Sequence, residues 1–227
     1  MADAGEPTVL VDDPAPGVRR LTLNRPTKRN ALSHRLRGEL FAALREGDAD
    51  PAVRVFIIRG AGKCFSAGYD LAQDPEEAHP WPISRADGAW ARHVLQGWFE
   101  MMDLATPIIA QVHGFCLAGG TELATACDLV YVADDAKIGY PAVRFGVPDM
   151  HFHSWFMGMR TAMEMMVTGD SISGEEAARL GWANRSFPIE ELEEGVLEVA
   201  HRIAIIDPEL VQLNKLLVHR QMDHMGL

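Results

Sequence analysis

Several features that would place this chain in other functional classes are scarce or missing. The sequence holds only three cysteines, Cys64, Cys116 and Cys127, an odd number without the spacing of a metal site. We therefore expect reduced thiols in a cytoplasmic protein, and no bound metal. No apolar run reaches the ~20 residues that a membrane span needs. Segment 1–13 is acidic and lacks the apolar stretch of a secretory signal, so we expect none.

An excess of positive charge is also missing, because the formal net charge is −11. Nucleic-acid binding needs a basic face, so this balance argues against such a partner. It leaves a small anionic ligand open, since a local pair of basic residues suffices to hold one. The 227 residues are 48% hydrophobic and 23% charged, which is typical of a globular protein of one large domain, with or without an appendage.

The most informative stretch runs from residue 107 to residue 127. Residues 107–112 are apolar, β-branched and bounded by Pro and Gly, which predicts a buried strand, and residues 121–127 have helix-forming composition. The small residues 118–120 between them would let a ligand approach the backbone and the helix N-terminus. Such a turn can hold a carbonyl oxygen that gains negative charge, and Glu122 follows as a candidate base. A Gly-rich packing turn with a solvated Glu remains the alternative.

Strands alternate with helices along the rest of the chain, which predicts an α/β fold. The predicted strands cover residues 8–11, 18–23, 53–59, 107–112, 129–132 and 136–139. The predicted helices follow Ser33, cover 121–127 and 156–167, follow Ser173, and cover 196–206 and 208–219. Ser33 and Ser173 are expected to cap the helices that they precede.

Two further features leave two interpretations each. Lys28 and Arg29 lie on a loop after Pro26, where they could form either a solvated surface pair or a clamp for a phosphate group. Trp98 and Met101 belong to an apolar stripe at helical spacing, which predicts either core packing or a subunit interface.

Four motifs in order resemble the enoyl-CoA hydratase/isomerase family, the crotonase superfamily. They are LNRPTKRNALS at 23–33, GKCFSAGYDL at 62–71, HGFCLAGGTELATACDLV at 113–130 and TGDSISGEEAARLG at 168–181. The resemblance implies a spiral of repeated ββα units, usually assembled as trimers or pairs of trimers. It also implies a spiral core over residues 1–190 and a C-terminal helical segment, 191–227, that is only part of the family's usual set.

The resemblance also implies roles for individual residues. The backbone N–H groups of Tyr69 and Gly119 would bind the thioester oxygen, and Glu122 would activate water. Lys28 and Arg29 match the loop that meets the adenosine-phosphate end of coenzyme A. Neighbouring pocket positions fall on Ala31, Ala67, Asp70 and Leu71. Coenzyme A would be part of the substrate, so we expect no separate cofactor.

One departure from the family pattern concerns the second carboxylate of two-carboxylate hydratases. It would fall on the residue after Pro141, which here is Ala142, and alanine cannot transfer a proton. The loop that follows is about four residues shorter than is usual in the family. Asp149, His151 and His153 on this loop either supply the missing group or are surface and packing residues.

We therefore expect an acyl-CoA-processing enzyme of the crotonase type, with hydration or dehydration of a 2-enoyl-CoA as its reaction and Glu122 as its acid/base residue. Double-bond isomerisation or hydrolysis, using Glu122 with Asp149 or a histidine, is an alternative. A catalytically weak acyl-CoA-binding protein is another. We expect a homo-oligomer, without membrane or nucleic-acid partners.

Overall fold

The computed structural model describes residues 6–72, 89–145 and 153–226, and it places them in two β-sheets with surrounding helices. The strands are β1 (Val9–Ala15), β2 (Val18–Leu23), β3 (Val55–Gly60), β4 (Ile108–Val112), β5 (Phe115–Leu117), β6 (Leu129–Ala133), β7 (Lys137–Gly139), β8 (Ser171–Ser173) and β9 (Arg185–Phe187). The helices are α1 (His34–Asp48), α2 (Ala89–Asp103), α3 (Gly119–Thr125), α4 (His153–Met157), α5 (Met159–Thr168), α6 (Gly174–Leu180), α7 (Leu192–Ala204) and α8 (Pro208–His224). The predicted α/β class is confirmed.

The larger sheet has the order β1-β2-β3-β4-β6-β9, with β1 antiparallel to β2 and every other neighbouring pair parallel. Its central strands are buried along almost their whole length, as in β4, where all five residues are buried. Continuous apolar strands of this kind are typical of parallel sheets covered on both faces. The smaller sheet has the order β5-β7-β8, and β5 leads directly into α3.

Both predicted helix caps are confirmed. The Ser33 hydroxyl accepts a hydrogen bond from the Leu36 N–H at 3.2 Å, and Ser173 accepts one from the Glu176 N–H at 3.1 Å. The predicted single helix over 156–167 is wrong, because two helices, α4 and α5, meet at Gly158. Gly158 has φ +79°, a conformation that interrupts a right-handed helix.

Trp98 and Met101 of the predicted apolar stripe on α2 belong to the core of this chain. Trp98 and Met101 are each only 1% exposed, and the Trp98 ring lies 5.8 Å from the Phe41 ring of α1, between centroids. Because both side chains are buried within one chain, they are no evidence for a subunit interface. Their place in the core instead brings the indole of Trp98 close to the first turn of α3, where the candidate site lies.

The last helix, α8, has no buried residue, and polar contacts join it to the sheet. The Asp128 carboxylate, just before β6, accepts hydrogen bonds from the Lys215 ammonium at 2.8 Å and the His219 ring at 3.0 Å. It also accepts one from the Ile108 N–H of β4 at 2.8 Å. Within the three described ranges, no helix is both long enough and apolar enough to cross a membrane.

Candidate active site

Both backbone polar groups of Ala118, the residue before Gly119, are held by hydrogen bonds. The Ala118 N–H donates to the Gly139 carbonyl of β7 at 2.9 Å, and the Ala118 carbonyl accepts from the Thr121 N–H at 2.8 Å and the Thr121 hydroxyl at 2.6 Å. Ala118 has φ 49° and ψ −123°, a combination that a non-glycine residue adopts only under strain. These bonds hold that conformation and set the direction of the Gly119 N–H at the start of α3.

His153, the first residue of α4, contacts the hydroxyl that bonds to the Ala118 carbonyl. Its Nε2 lies 2.7 Å from the Thr121 hydroxyl oxygen, and the side chain is 1% exposed. The one hydroxyl hydrogen of Thr121 already goes to the Ala118 carbonyl, so Nε2 of His153 must carry a hydrogen and donate it. His153 therefore contacts α3 through Thr121. Asp149 and His151, the other two candidates from the shortened loop, lie outside the described residues.

The second predicted donor, the Tyr69 N–H, lies on a turn directly beside Gly119. Leu32 pairs with Tyr69 in a parallel bridge, in which the Leu32 N–H donates to the Gly68 carbonyl and the Asp70 N–H donates to the Leu32 carbonyl. In such a bridge the N–H of the central residue points away from its partner strand. Gly68 has φ +99°, and a Cβ added to it would lie 3.2 Å from the Gly119 nitrogen. The two predicted donors thus belong to adjoining turns.

Glu122 is buried, with 1% exposure, and its carboxylate is hydrogen-bonded by two side chains. Oε2 accepts from the Tyr69 hydroxyl at 2.6 Å and from the Trp98 indole N–H at 3.1 Å. The indole nitrogen also lies 3.2 Å from the Tyr69 oxygen, so the three polar atoms form a triangle. We call Tyr69, Trp98 and Glu122 the Glu122 triad. The alternative of a solvated Glu on a packing turn is therefore wrong.

The Tyr69 side chain lies across the first residue of α3. A Cβ added to Gly119 would come within 2.6 Å of the Tyr69 ring, so glycine at 119 is what allows this ring to lie there. The Arg37 guanidinium of α1 lies 5.5 Å from the ring centroid. Burial, followed by the charge of Glu122 and the hydrogen bond to it, raises the pKa of the Tyr69 phenol well above its usual value. The phenol is therefore protonated at neutral pH and donates to Glu122.

Asn30 connects its own loop to the loop that holds Ala61 and Cys64. Residue patterns alone did not single it out. It is fully buried, and its amide donates to the Ala61 carbonyl at 2.9 Å and the Cys64 carbonyl at 2.8 Å. Its φ of 52° is a left-handed conformation that Asn tolerates better than most residues. The Ser66 hydroxyl, which donates to the Asn30 carbonyl at 2.9 Å, also accepts from the Gly68 N–H at 3.2 Å. The position of Asn30 inside the first motif was the available signal.

The residues predicted to meet coenzyme A lie at the surface around these loops. Lys28 ends a short 3-10 turn, Pro26–Lys28, and both Lys28 and Arg29 are exposed. The Arg29 carbonyl accepts from the Ala67 N–H at 3.0 Å, which joins the basic loop to the turn that carries Tyr69.

The four predicted pocket positions differ in exposure. Ala31 and Ala67 are half-buried, whereas the Leu71 side chain is 82% exposed. The Asp70 carboxylate forms an ion pair with Arg25 at 2.8 Å. Burial alone would raise the pKa of Asp70, but the hydrogen bonds from Arg25 and the Ala72 N–H outweigh it and hold that pKa below its usual range.

Ala142, at the position of the missing second carboxylate, lies half-buried on the 3-10 turn Pro141–Phe145. Its methyl group packs against the hydrophobic core and offers no proton. The Tyr69 phenol is an ionisable group in hydrogen-bonding contact with the Glu122 carboxylate.

Comparison with known proteins confirms the family resemblance of the four motifs. The family model for enoyl-CoA hydratase/isomerase matches residues 14–226. The chain belongs to this family. It is 32% identical over 209 residues to the hydroxycinnamoyl-CoA hydratase-lyase of Pseudomonas fluorescens, a match that covers 88% of this chain and 74% of the relative.

Solved structures show the same fold. An enoyl-CoA hydratase/isomerase from Xanthobacter autotrophicus Py2 is similar with a TM-score of 0.85 and 33% identity, over 96% of this chain and 81% of that one. A probable enoyl-CoA hydratase from Mycobacterium thermoresistibile is similar with a TM-score of 0.88 and 31% identity, over 97% of this chain and 90% of that one. The predicted crotonase fold is confirmed, and the chain is of the hydratase or lyase type.

Proposed function

We propose that this protein adds water to, or removes water across, the C2–C3 double bond of a 2-enoyl-CoA thioester, with Glu122 as the principal acid/base residue. The observation that carries the proposal is the buried Glu122 carboxylate one turn after Gly119, beside the turn of Tyr69. A base in this place can approach the carbons next to a carbonyl that is bound at the two turns.

The thioester oxygen would accept hydrogen bonds from the Tyr69 and Gly119 N–H groups. When water attacks C3, negative charge moves onto this oxygen, so donors held in advance stabilise the transition state more than the substrate. One such donor is typically worth about 3–4 kcal/mol. The strained Ala118 and its hydrogen bonds support this role, because they leave the Gly119 N–H little freedom to turn away.

Coenzyme A would enter over the basic loop of Lys28 and Arg29, with its phosphates beside these two side chains. Ala31, Ala67, Asp70 and Leu71 would line the neighbouring part of the pocket. No further cofactor is needed for this reaction, because the thioester itself supplies the electron-withdrawing group. The proposed substrate is therefore an acyl-CoA, whose acyl chain the described residues leave open.

The direct experiment follows the absorbance of crotonyl-CoA, whose conjugated double bond disappears on hydration. We expect turnover that depends on Glu122. Calorimetry with acetyl-CoA, which has no double bond, measures binding separately. Binding without turnover would contradict the hydratase proposal and favour the binding protein, and absence of both would contradict any acyl-CoA function.

The acyl-CoA-binding protein is the second candidate, and a specific observation favours it. Ala142 removes the second carboxylate, and the remaining one is engaged by Tyr69 and Trp98. A carboxylate held only as a structural acceptor would leave a site that binds thioesters without converting them. Isomerisation or hydrolysis would need a further group on the loop that bears Asp149 and His151, outside the described residues.

We also propose a cytoplasmic homo-oligomer, most simply a trimer. Leu210, Leu213 and Leu217 of α8 are each more than half exposed and are better candidates for a subunit contact than the buried Trp98 and Met101 of α2. Light scattering at micromolar protein would reveal a single monomeric mass if this proposal is wrong. The division between a core ending at residue 190 and a C-terminal segment 191–227 stays a prediction.

A further inference from the structure

We propose that the phenol of Tyr69 is the second proton-transfer group of the site and does the work that the missing carboxylate at position 142 does elsewhere. This inference rests on the proposed hydration reaction and deepens it. The observation behind it is the triad of Tyr69, Trp98 and Glu122, in which the phenol oxygen lies 2.6 Å from the Glu122 carboxylate. Adding water across a double bond requires a base at the water and an acid at C2, and Glu122 supplies only one of these.

The place of the ring puts the hydroxyl near the carbon that must receive the proton. The same residue, Tyr69, offers its backbone N–H to the thioester oxygen and lays its ring against Gly119, the other predicted donor. C2 is bonded to the carbonyl carbon held between these donors, so its distance from the phenol is limited by the length of one side chain. The polar end of that side chain lies at Glu122, where the water would be activated.

Each bond can be followed through the reaction. Glu122 takes a proton from water while the water oxygen bonds to C3, and the π electrons of the double bond move to form an enolate. The Tyr69 O–H then breaks as its proton bonds to C2, and the enolate electrons form the C2–H bond while the carbonyl is restored. Finally the protonated Glu122 returns its proton to the Tyr69 oxygen across their hydrogen bond. The net change is addition of H and OH.

The surroundings of the ring suit a group that gives up its proton briefly. Burial and Glu122 raise the pKa of the phenol, so the resting site keeps the proton in place. Two groups act in the opposite direction and lower this pKa, namely the Arg37 charge 5.5 Å from the ring centroid and the Trp98 N–H 3.2 Å from the oxygen. Both would stabilise the phenolate at the moment that Glu122 becomes protonated and loses its charge.

The test replaces Tyr69 by Phe, which keeps the ring and both backbone donors. Tyr131→Phe is the matched control, because it removes a phenol hydroxyl from a buried ring of β6 that packs on Phe187. We expect Tyr69→Phe to lower kcat for crotonyl-CoA by about 10²–10⁴, the usual contribution of a placed proton donor, with KM little changed. The control should keep full turnover.

A pH profile separates proton transfer from positioning of Glu122. If Tyr69 only stabilised the carboxylate, its loss would raise the pKa of Glu122, and full kcat would return at higher pH. If Tyr69 delivers the proton, kcat stays low at every pH. The inference would be overturned if the pH profile of Tyr69→Phe shifted to higher pH and then reached the full wild-type kcat. It would also be overturned if the variant stayed within twofold of wild type at every pH. Faster turnover in Tyr69→Phe would overturn it too and would show that the phenol restrains Glu122.

A second measurement distinguishes failure of this inference from failure of the proposed function. Wild-type protein in D₂O should exchange the C2 hydrogens of butyryl-CoA, a saturated thioester that cannot be hydrated, and Tyr69→Phe should lose this exchange, as seen by NMR. Wild-type hydration with exchange unchanged in the variant would reject Tyr69 alone. Absence of both hydration and exchange in the wild type would reject the proposed function together with this inference.

Discussion

The two ends of the proposed site are built in opposite ways. At the proposed reacting end, the Glu122 triad is buried or half-buried, and its polar atoms hydrogen-bond one another. At the coenzyme end, Lys28 and Arg29 are exposed to water. Removing the partner of a buried polar group costs free energy because the group is left without a hydrogen bond, whereas an exposed charge can bond to water instead. We therefore expect single substitutions to act strongly on turnover at one end and weakly on affinity at the other.

The largest effect should come from Glu122→Gln, which preserves the shape of the side chain and removes the base. Proton transfer by a placed group contributes about 10²–10⁴ in rate, so kcat for crotonyl-CoA should fall by that factor. Acyl-CoA affinity, measured by calorimetry, should change little. Glu194→Gln, at an exposed position of α7, is the matched control and should behave as wild type.

Comparison variants locate the catalytic group if this expectation fails. Asp149→Asn, His151→Ala and His153→Ala each remove one candidate of the shortened loop. Full turnover in Glu122→Gln, together with loss of turnover in one of these three, would move the acid/base role to that loop. Full turnover in all four variants would exclude Glu122 and the three loop candidates from the acid/base role.

A smaller loss should follow Thr121→Val, which removes the hydroxyl between His153 and the Ala118 carbonyl. Losing one oxyanion donor altogether costs about 10²–10³ in kcat, and here the Gly119 N–H stays but is held less firmly, so we expect about tenfold. The free energy of unfolding should also fall by about 1–3 kcal/mol, because the His153 N–H loses its buried acceptor.

Thr125→Val is the control for this variant. It removes a buried hydroxyl one turn later on the same helix, one that donates to the Thr121 carbonyl at 2.7 Å and accepts from the Trp182 indole at 2.9 Å. Stability should fall in both variants when measured by denaturant unfolding, but kcat should fall only in Thr121→Val. Equal kcat in the two variants would show that the contacts of the Thr121 hydroxyl with Ala118 and His153 have no part in catalysis.

At the coenzyme end, the double variant Lys28→Ala/Arg29→Ala should raise the Kd of acetyl-CoA by about twofold to thirtyfold, because exposed charge pairs are worth about 0.2–1 kcal/mol each and two are removed. Its affinity should also depend less on salt, since screening acts on the charges removed. Arg160→Ala/Arg179→Ala removes the same charge from exposed positions of α5 and α6 and is the control. Calorimetry at two salt concentrations measures both effects, and unchanged affinity in the Lys28/Arg29 variant would exclude this loop from the site.

The smallest effect concerns stability and the ion pair between Arg25 and Asp70. The pKa of Asp70 is lower in the folded protein than in the unfolded chain, so its stabilisation is complete above the unfolded value of about 3.9 and is lost as pH falls through the folded value. Asp70→Asn should therefore lower the free energy of unfolding by about 1–2 kcal/mol at pH 7, and the difference from wild type should shrink in acid.

Asp223→Asn, in an exposed pair with Arg220, should show a difference near zero at every pH. Denaturant unfolding from pH 7 to about pH 2 gives both curves. A difference between Asp70→Asn and wild type that persists undiminished below pH 3 would show that the carboxylate charge is not its cause.

Local patterns carried much of the fold. Strands β3, β4 and β6 could be predicted because buried parallel strands are continuous apolar runs. Strand β2 could be predicted from the alternation of Leu21, Thr22 and Leu23, and Ser33 and Ser173 could be recognised as caps. Strand β5 was missed, since three residues between two glycine-containing turns give no periodic signal. The break at Gly158 was missed as well, because an apolar helical pattern runs across it.

The candidate site was predictable only where its residues are neighbours in sequence. Gly119 and Glu122 belong to one turn and were found together. The phenol of Tyr69 and the indole of Trp98 reach Glu122 from 53 and 24 residues away, which no local pattern records. Asn30 was missed for the same reason, because its amide joins carbonyls more than 30 residues further along the chain.

The Tyr69 ring occupies the space that a side chain at Gly119 would need, and this affects any attempt to change the substrate range of the protein. Any side chain at 119 would collide with the ring at 69, so these positions can only be altered in a particular order. A smaller residue at 69 opens room for a bulkier acyl group beside the donor, and only then could an alanine at 119 be accepted. Substitutions at 119 alone would have to displace the Tyr69 ring, whereas paired libraries that begin from a small residue at 69 would avoid this collision but would give up the phenol that we propose as proton donor.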